Sequence, residues 1–147
     1  MSHILGTLYL GDRQDAETMT DVDLVVNCTS DIPFYAKPDA IKIRLPVEDN
    51  GDPDQDVKLY NLISDDNIFH QIELHLMNEK KVLIHCRMGA QRSAATLACF
   101  LLFHSFHILD QPMNVNTVIK FIKNKRKIAF HRGINFIRTI EHYDMLL

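Results

Sequence analysis

The chain has 147 residues, 46% of them hydrophobic and 24% charged, with a formal net charge of −3. That size and balance fit one globular domain with a substantial core, and the acidic excess argues against general nucleic-acid binding. Three cysteines, Cys28, Cys86 and Cys99, make no even disulfide framework and point to a reducing compartment, while no apolar run approaches the ~18 residues of a membrane span.

No charged segment followed by an apolar run opens the chain, so a signal peptide is not expected. Ile4-Leu5 and Leu8-Tyr9-Leu10 read as short strands around Gly6-Thr7, and residues 14 to 19 as a weak helical turn. Leu24-Val25-Val26-Asn27-Cys28 has the β-branched content of a buried strand. Ile41-Lys42-Ile43-Arg44-Leu45 alternates as a half-buried strand should. Residues 46 to 53 form a loop rich in Asp, Asn, Gly and Pro. Leu62, Phe69, Ile72 and Leu76 share one helical face, which predicts a helix over about residues 57 to 78. Val82-Leu83-Ile84 reads as the central strand. Ala94, Leu97, Ala98, Leu101 and Leu102 then give the next helix a thick apolar face, so it should be buried. Val118, Ile119 and Ile122 define another helix, and Ile137, Ile140 and Met145 suggest a last one. This order is that of an α/β fold in a single domain over residues 1 to 147.

The chemistry concentrates in His85-Cys86-Arg87-Met88-Gly89-Ala90-Gln91-Arg92-Ser93, directly after the central strand. A thiol attacks only as thiolate, and a thiolate at a helix N-terminus faces unpaired N–H groups and the positive end of the helix dipole. The same N–H groups bind phosphate oxygens. Gly89 lets the backbone curl inward, and Arg92 supplies a bidentate fork that lysine cannot. The Ser93 hydroxyl is placed to donate to the cysteine sulfur as it leaves. His85 is expected to organise the loop rather than attack. A zinc site is disfavoured because no second cysteine stands at C-x-x-C spacing, and the glycine-rich nucleotide loop pattern G-x-x-x-x-G-K-[ST] is missing.

These nine residues resemble the signature of the cysteine-dependent protein tyrosine phosphatases. Leu8-Tyr9-Leu10-Gly11, Val25-Val26-Asn27-Cys28-Thr29, Pro46-Val47-Glu48-Asp49-Asn50, Arg126 and Phe136 narrow the resemblance to the dual-specificity phosphatases. It covers nearly the whole chain. Met88 and Gln91 depart from the family, which often has alanine and serine or asparagine there. The resemblance implies a central mixed, mostly parallel sheet flanked by helices. It implies Cys86 as nucleophile, Arg92 and Ser93 as catalytic partners, and Asp49 as general acid with Asp52 as the rival. His85, Arg87, Met88, Gly89, Ala90 and Gln91 are implied as the substrate-binding loop. Asp54 and Asp56 fit better as solubilising groups or caps for the helix near Val57. No metal or organic cofactor is required. The expected partners are phosphorylated proteins, with no membrane insertion, a monomeric state and a cytoplasmic or nuclear location. RNA 5′-phosphates, phosphoinositides and a catalytically dead phosphoprotein-binding module are the alternatives.

Three further features bear on this reading. Asn27, Arg44 and Asn50 are candidates for the border of the site. Lys123-Asn124-Lys125-Arg126-Lys127 reads first as a solvated helix end complementing the dipole, with a nuclear signal or a second phosphate contact as alternatives. Cys28 and Cys86 both end strands, so a protective disulfide is conceivable under oxidation, though packing is the simpler role for Cys28.

Overall fold

Five short strands and six helices alternate along the computed structural model, which describes all 147 residues. β1 (Ser2–Leu5) and β2 (Leu8–Gly11) form an antiparallel hairpin. With β3 (Leu24–Asn27), β4 (Ile41–Arg44) and β5 (Val82–His85) they build one sheet of order β1-β2-β5-β3-β4. Every pairing but β1–β2 is parallel, so the sheet is mixed and mostly parallel. β5 lies at its centre and is buried at all four residues. Val82 and Ile84 enter the larger apolar cluster and Leu83 the smaller one. Successive side chains point to opposite faces, and both faces are covered, which is why the sequence there is an unbroken apolar run.

β4 does not alternate in burial: Ile41 is 42% exposed, and Ile43 and Arg44 are both half-buried. It pairs only with β3 and so forms the sheet's edge, where neither face is fully covered.

α1 (Arg13–Thr18) starts in a capping box, with the Asp12 and Asp15 carboxylates each accepting from the other's backbone N–H. The single helix expected over residues 57 to 78 is two helices, α2 (Pro53–Ile63) and α3 (Asn67–Met77). The break is at Asp66, which is left-handed (φ +62°) and accepts a hydrogen bond from the buried Tyr143 hydroxyl. α2 packs on α6 (Ile137–Leu146) and α3 on α4 (Arg92–His107). The apolar spacing runs on across the break because both segments cover one core. On α6 the core-facing residues are Ile140 and Tyr143, while Met145 points outward at 81% exposure.

α4 is the hub. Thirteen of its 16 residues are buried, so it is apolar all round rather than on one stripe. α5 (Val115–Lys125) packs against it through Val118 and Ile122. The register aligns Gly11 and Asn27 on either side of His85. The carboxyl ends of β2, β3 and β5 therefore finish level, and the segment from β5 to α4 emerges between them, where parallel α/β sheets bind ligands.

Candidate active site

Residues 86 to 91 carry the chain from β5 into α4, whose first residue is Arg92. Cys86 sits at the base of this loop, 2% exposed, with its Sγ 3.1 Å from the Ser93 Oγ. Burial alone pushes its thiol up. The Ser93 hydroxyl and N–H, the Arg92 guanidinium and the Gly89 N–H outweigh burial and hold it below the ordinary thiol value. The other two cysteines show the difference. Burial pushes Cys28 up to about 12 despite a hydrogen bond to Thr96, and burial pushes Cys99 higher still. All three are free thiols, and only Cys86 is shifted toward the anion.

Each position in the loop has a structural cause. Gly89 is left-handed (φ +66°), and a Cβ there would lie 2.6 Å from the Gly11 carbonyl oxygen and 2.7 Å from the Arg126 Nη2. Only glycine fits between β2 and that guanidinium. Arg92 is nearly buried, and its Nη1 donates to the Val47 carbonyl at 2.9 Å. One prong thus ties the loop to residues 46 to 52, where Asp49 lies, while a guanidinium carries five donors in all. The Ala90 carbonyl accepts from the Phe130 N–H at 2.8 Å.

Cys86, Arg92 and Asp49 line one cavity of about 280 Å³, together with Met88, Ala90 and Gln91. The side chains of His85 and Arg87 lie outside its wall. His85 is buried behind the loop, its Nδ1 3.5 Å from the Cys86 carbonyl oxygen, and burial lowers its basicity. Arg87 reaches sideways to Asp31 at 2.8 Å. Asp52 is the N-cap of α2 and accepts from the Asp54 N–H at 2.9 Å. The cap is therefore Asp52, not Asp54 or Asp56. Asp56 accepts instead from the Thr139 N–H and hydroxyl, tying α2 to α6. Asn27 and Arg44 do not line the cavity. Both donate to the Ile32 carbonyl, at 2.7 and 2.8 Å, and so shape the turn bearing Asp31. The Asn50 side chain accepts from the Asp52 N–H within its own loop.

Two contributors were not legible as such. Arg126 is no solvated helix end: its Nε donates to the Gly89 carbonyl at 2.9 Å, its Nη2 to Met88 at 3.1 Å and its Nη1 to Ser2 Oγ at 3.1 Å. It is a strut under the loop, and its place beside four other polar residues of a basic run concealed it. Asn135 stands across the cavity and donates from Nδ2 to the Asp49 Oδ1 at 3.0 Å. Its only sequence signal is its place just before Phe136. No group of three or more His, Cys, Asp or Glu side chains is placed to hold a metal ion. No helix is long and apolar enough to cross a membrane.

The model of the dual specificity phosphatase catalytic domain matches residues 8–145. The chain belongs to the dual-specificity phosphatase family. Cyclin-dependent kinase inhibitor 3 of Sus scrofa is 28% identical over 145 residues, covering 92% of this chain and 60% of that protein. Protein phosphatase Slingshot homolog 1 of Mus musculus is 26% identical over 151 residues, covering 99% of this chain but 13% of that protein. The chain thus spans three-fifths of one of these relatives and a small part of the other. The crystal structure of human DUSP28 superposes with a TM-score of 0.79 at 20% identity, over 99% of this chain and 96% of that one. That likeness shows the shared phosphatase fold.

Proposed function

We propose that this domain hydrolyses phosphotyrosine and phosphoserine or phosphothreonine in proteins through a cysteinyl-phosphate intermediate. The observation that carries the reading is a buried cysteine held below its ordinary pKa, facing the same cavity as one arginine and one aspartate. The Cys86 thiolate attacks phosphorus while Arg92 and the loop N–H groups hold the equatorial oxygens. Asp49 gives its proton to the departing oxygen as the P–O bond breaks. Asp49, now a carboxylate, takes a proton from the water that attacks the phosphocysteine, and inorganic phosphate leaves. Ser93 donates to the sulfur as it departs, from 3.1 Å. A phosphate monoester on a protein suits a cavity whose wall carries one guanidinium and no lysine; phosphoinositides and RNA ends present further anionic groups.

The test compares wild-type and Cys86→Ser protein against phosphopeptides, a phosphoinositide and a 5′-phosphorylated RNA. Wild-type protein should release phosphate fastest from phosphopeptides. The variant should bind them without turnover, because serine cannot supply the anion at neutral pH. Near-wild-type hydrolysis by Cys86→Ser removes the nucleophile assignment, and a faster rate on the lipid or the RNA replaces the substrate.

A further inference from the structure

The hydrogen bond from Asn135 is the single one made by the Asp49 side chain. The rest of its loop is secured elsewhere: the Val47 carbonyl by Arg92, the Glu48 N–H by Gln55, and the Asp52 N–H by Asn50. Asp49 itself is exposed and otherwise unheld. Asn135 is exposed too, but its backbone is fixed, because its N–H donates to the Gln91 Oε1 at 3.0 Å. Gln91 is buried in the phosphate loop, and its Nε2 donates to the His131 and Gly133 carbonyls at 3.1 and 2.9 Å. Every polar atom of the Gln91 side chain is thus spent on the segment that presents the Asn135 carboxamide to Asp49.

We propose that Asn135 is a positioning residue for the acid step, held in place by Gln91, and that it fixes which carboxyl oxygen of Asp49 carries the transferable proton. The proposal rests on Asp49 being the general acid. An amide N–H that donates to Oδ1 occupies that oxygen as an acceptor. The acid proton then resides on Oδ2, free of Asn135 and available to the leaving oxygen. As the proton transfers, the new carboxylate keeps its charge-assisted bond from Asn135 through Oδ1. The same contact holds the acid for its second role, when Oδ2 takes a proton from the attacking water. Gln91 belongs to the loop that grips the phosphate, so the acid is set in register with the phosphoryl group through two side chains rather than by its own loop alone.

The test uses Asn135→Ala, which removes the carboxamide and keeps the backbone N–H bonded to Gln91. Because residue 135 is exposed, the fold is not at stake, and a thermal melt checks that. kcat is measured over aryl phosphates of graded leaving-group basicity for wild type, Asn135→Ala, Asp49→Asn and the double variant. Asn135→Ala should lose about 10- to 100-fold on the poorest leaving groups, the scale of a misplaced catalytic group. It should lose at least tenfold less on the most acidic phenol, whose oxygen departs without full protonation. The double variant should be no worse than Asp49→Asn alone, because with no proton to place the carboxamide has no task. A merely structural asparagine would slow all the esters alike and add its loss to that of Asp49→Asn; that result overturns the proposal. If Asp49→Asn steepens the leaving-group dependence and Asn135→Ala does not, Asn135 is excluded and Asp49 stands as the acid. If Asp49→Asn has no such effect, the acid assignment and this inference fall together.

Discussion

Replacing Ser93 with alanine isolates the contact that most favours the Cys86 anion. The hydroxyl lies 3.1 Å from the sulfur and is the largest influence opposing burial. A hydrogen bond to a charged group contributes about 1.5–3 kcal/mol, and 1.36 kcal/mol is a factor of ten in ionisation. In Ser93→Ala the thiolate fraction at a fixed acidic pH should therefore fall roughly ten- to a hundredfold. Part of that loss is offset, because a more basic thiolate is a better nucleophile, with a Brønsted slope of about 0.4–0.5. The net alkylation rate by iodoacetamide below neutral pH should fall about four- to fifteenfold by the same relation. At high pH, with both proteins ionised, the order should reverse. The sign for turnover follows. With Cys86 as the proposed nucleophile, kcat/KM should rise with pH as its thiol loses its proton, so a more basic thiol should move that acid limb to higher pH. An alkylation profile that coincides with wild type would mean that the Ser93 and Gly89 N–H groups and Arg92 hold the anion without the hydroxyl. A lower rate at every pH would mean that the hydroxyl shapes the loop and does not tune the sulfur.

Arg92→Lys should cut kcat at least roughly 10²-fold, as loss of one transition-state donor does, even though the charge is kept; steady-state kinetics showing less than a threefold loss would reduce Arg92 to its tie with the Val47 carbonyl. Gly89→Ala places a Cβ against the Gly11 carbonyl and the Arg126 guanidinium and should cost about 1–3 kcal/mol in urea unfolding, together with most of the activity. Asp52→Ala removes the cap of α2 and should lower stability by about 1 kcal/mol while leaving the dependence of kcat on leaving group unchanged. If that dependence steepens instead, Asp52 is the acid.

The loop was legible because its chemistry is local. Cys86, Gly89, Arg92 and Ser93 come together within one backbone turn and one helix start, so their spacing alone carries the geometry. The strands were legible because burial on both faces of β5 and β3 leaves an apolar run. What stayed hidden depends on partners far along the chain. Asp66 breaks a continuous apolar periodicity because Tyr143 holds it, 77 residues later. Arg126 reads as one cation among several until Gly89 and Met88 approach it. Asn135 meets Asp49 across 86 residues. Met145 and Tyr143 lie two apart on α6, and only packing decides which turns inward.

The burial of α4 carries a consequence for how this domain responds to ligands. The helix that opens at Arg92 and Ser93 is also the axis on which α3, α5 and α6 pack. Its amides should then exchange with deuterium only through global opening, since freeing them exposes the whole core. An oxyanion gripped at the helix start opposes that same event, by RT ln(1 + [L]/Kd), or about 2.7 kcal/mol at a hundredfold excess over Kd. Occupancy by vanadate or phosphate would therefore be readable in slowed exchange more than 15 Å away, at the far end of the helix by its ~1.5 Å rise per residue. The candidate site and the stability core of this protein are therefore expected to unfold as one cooperative unit.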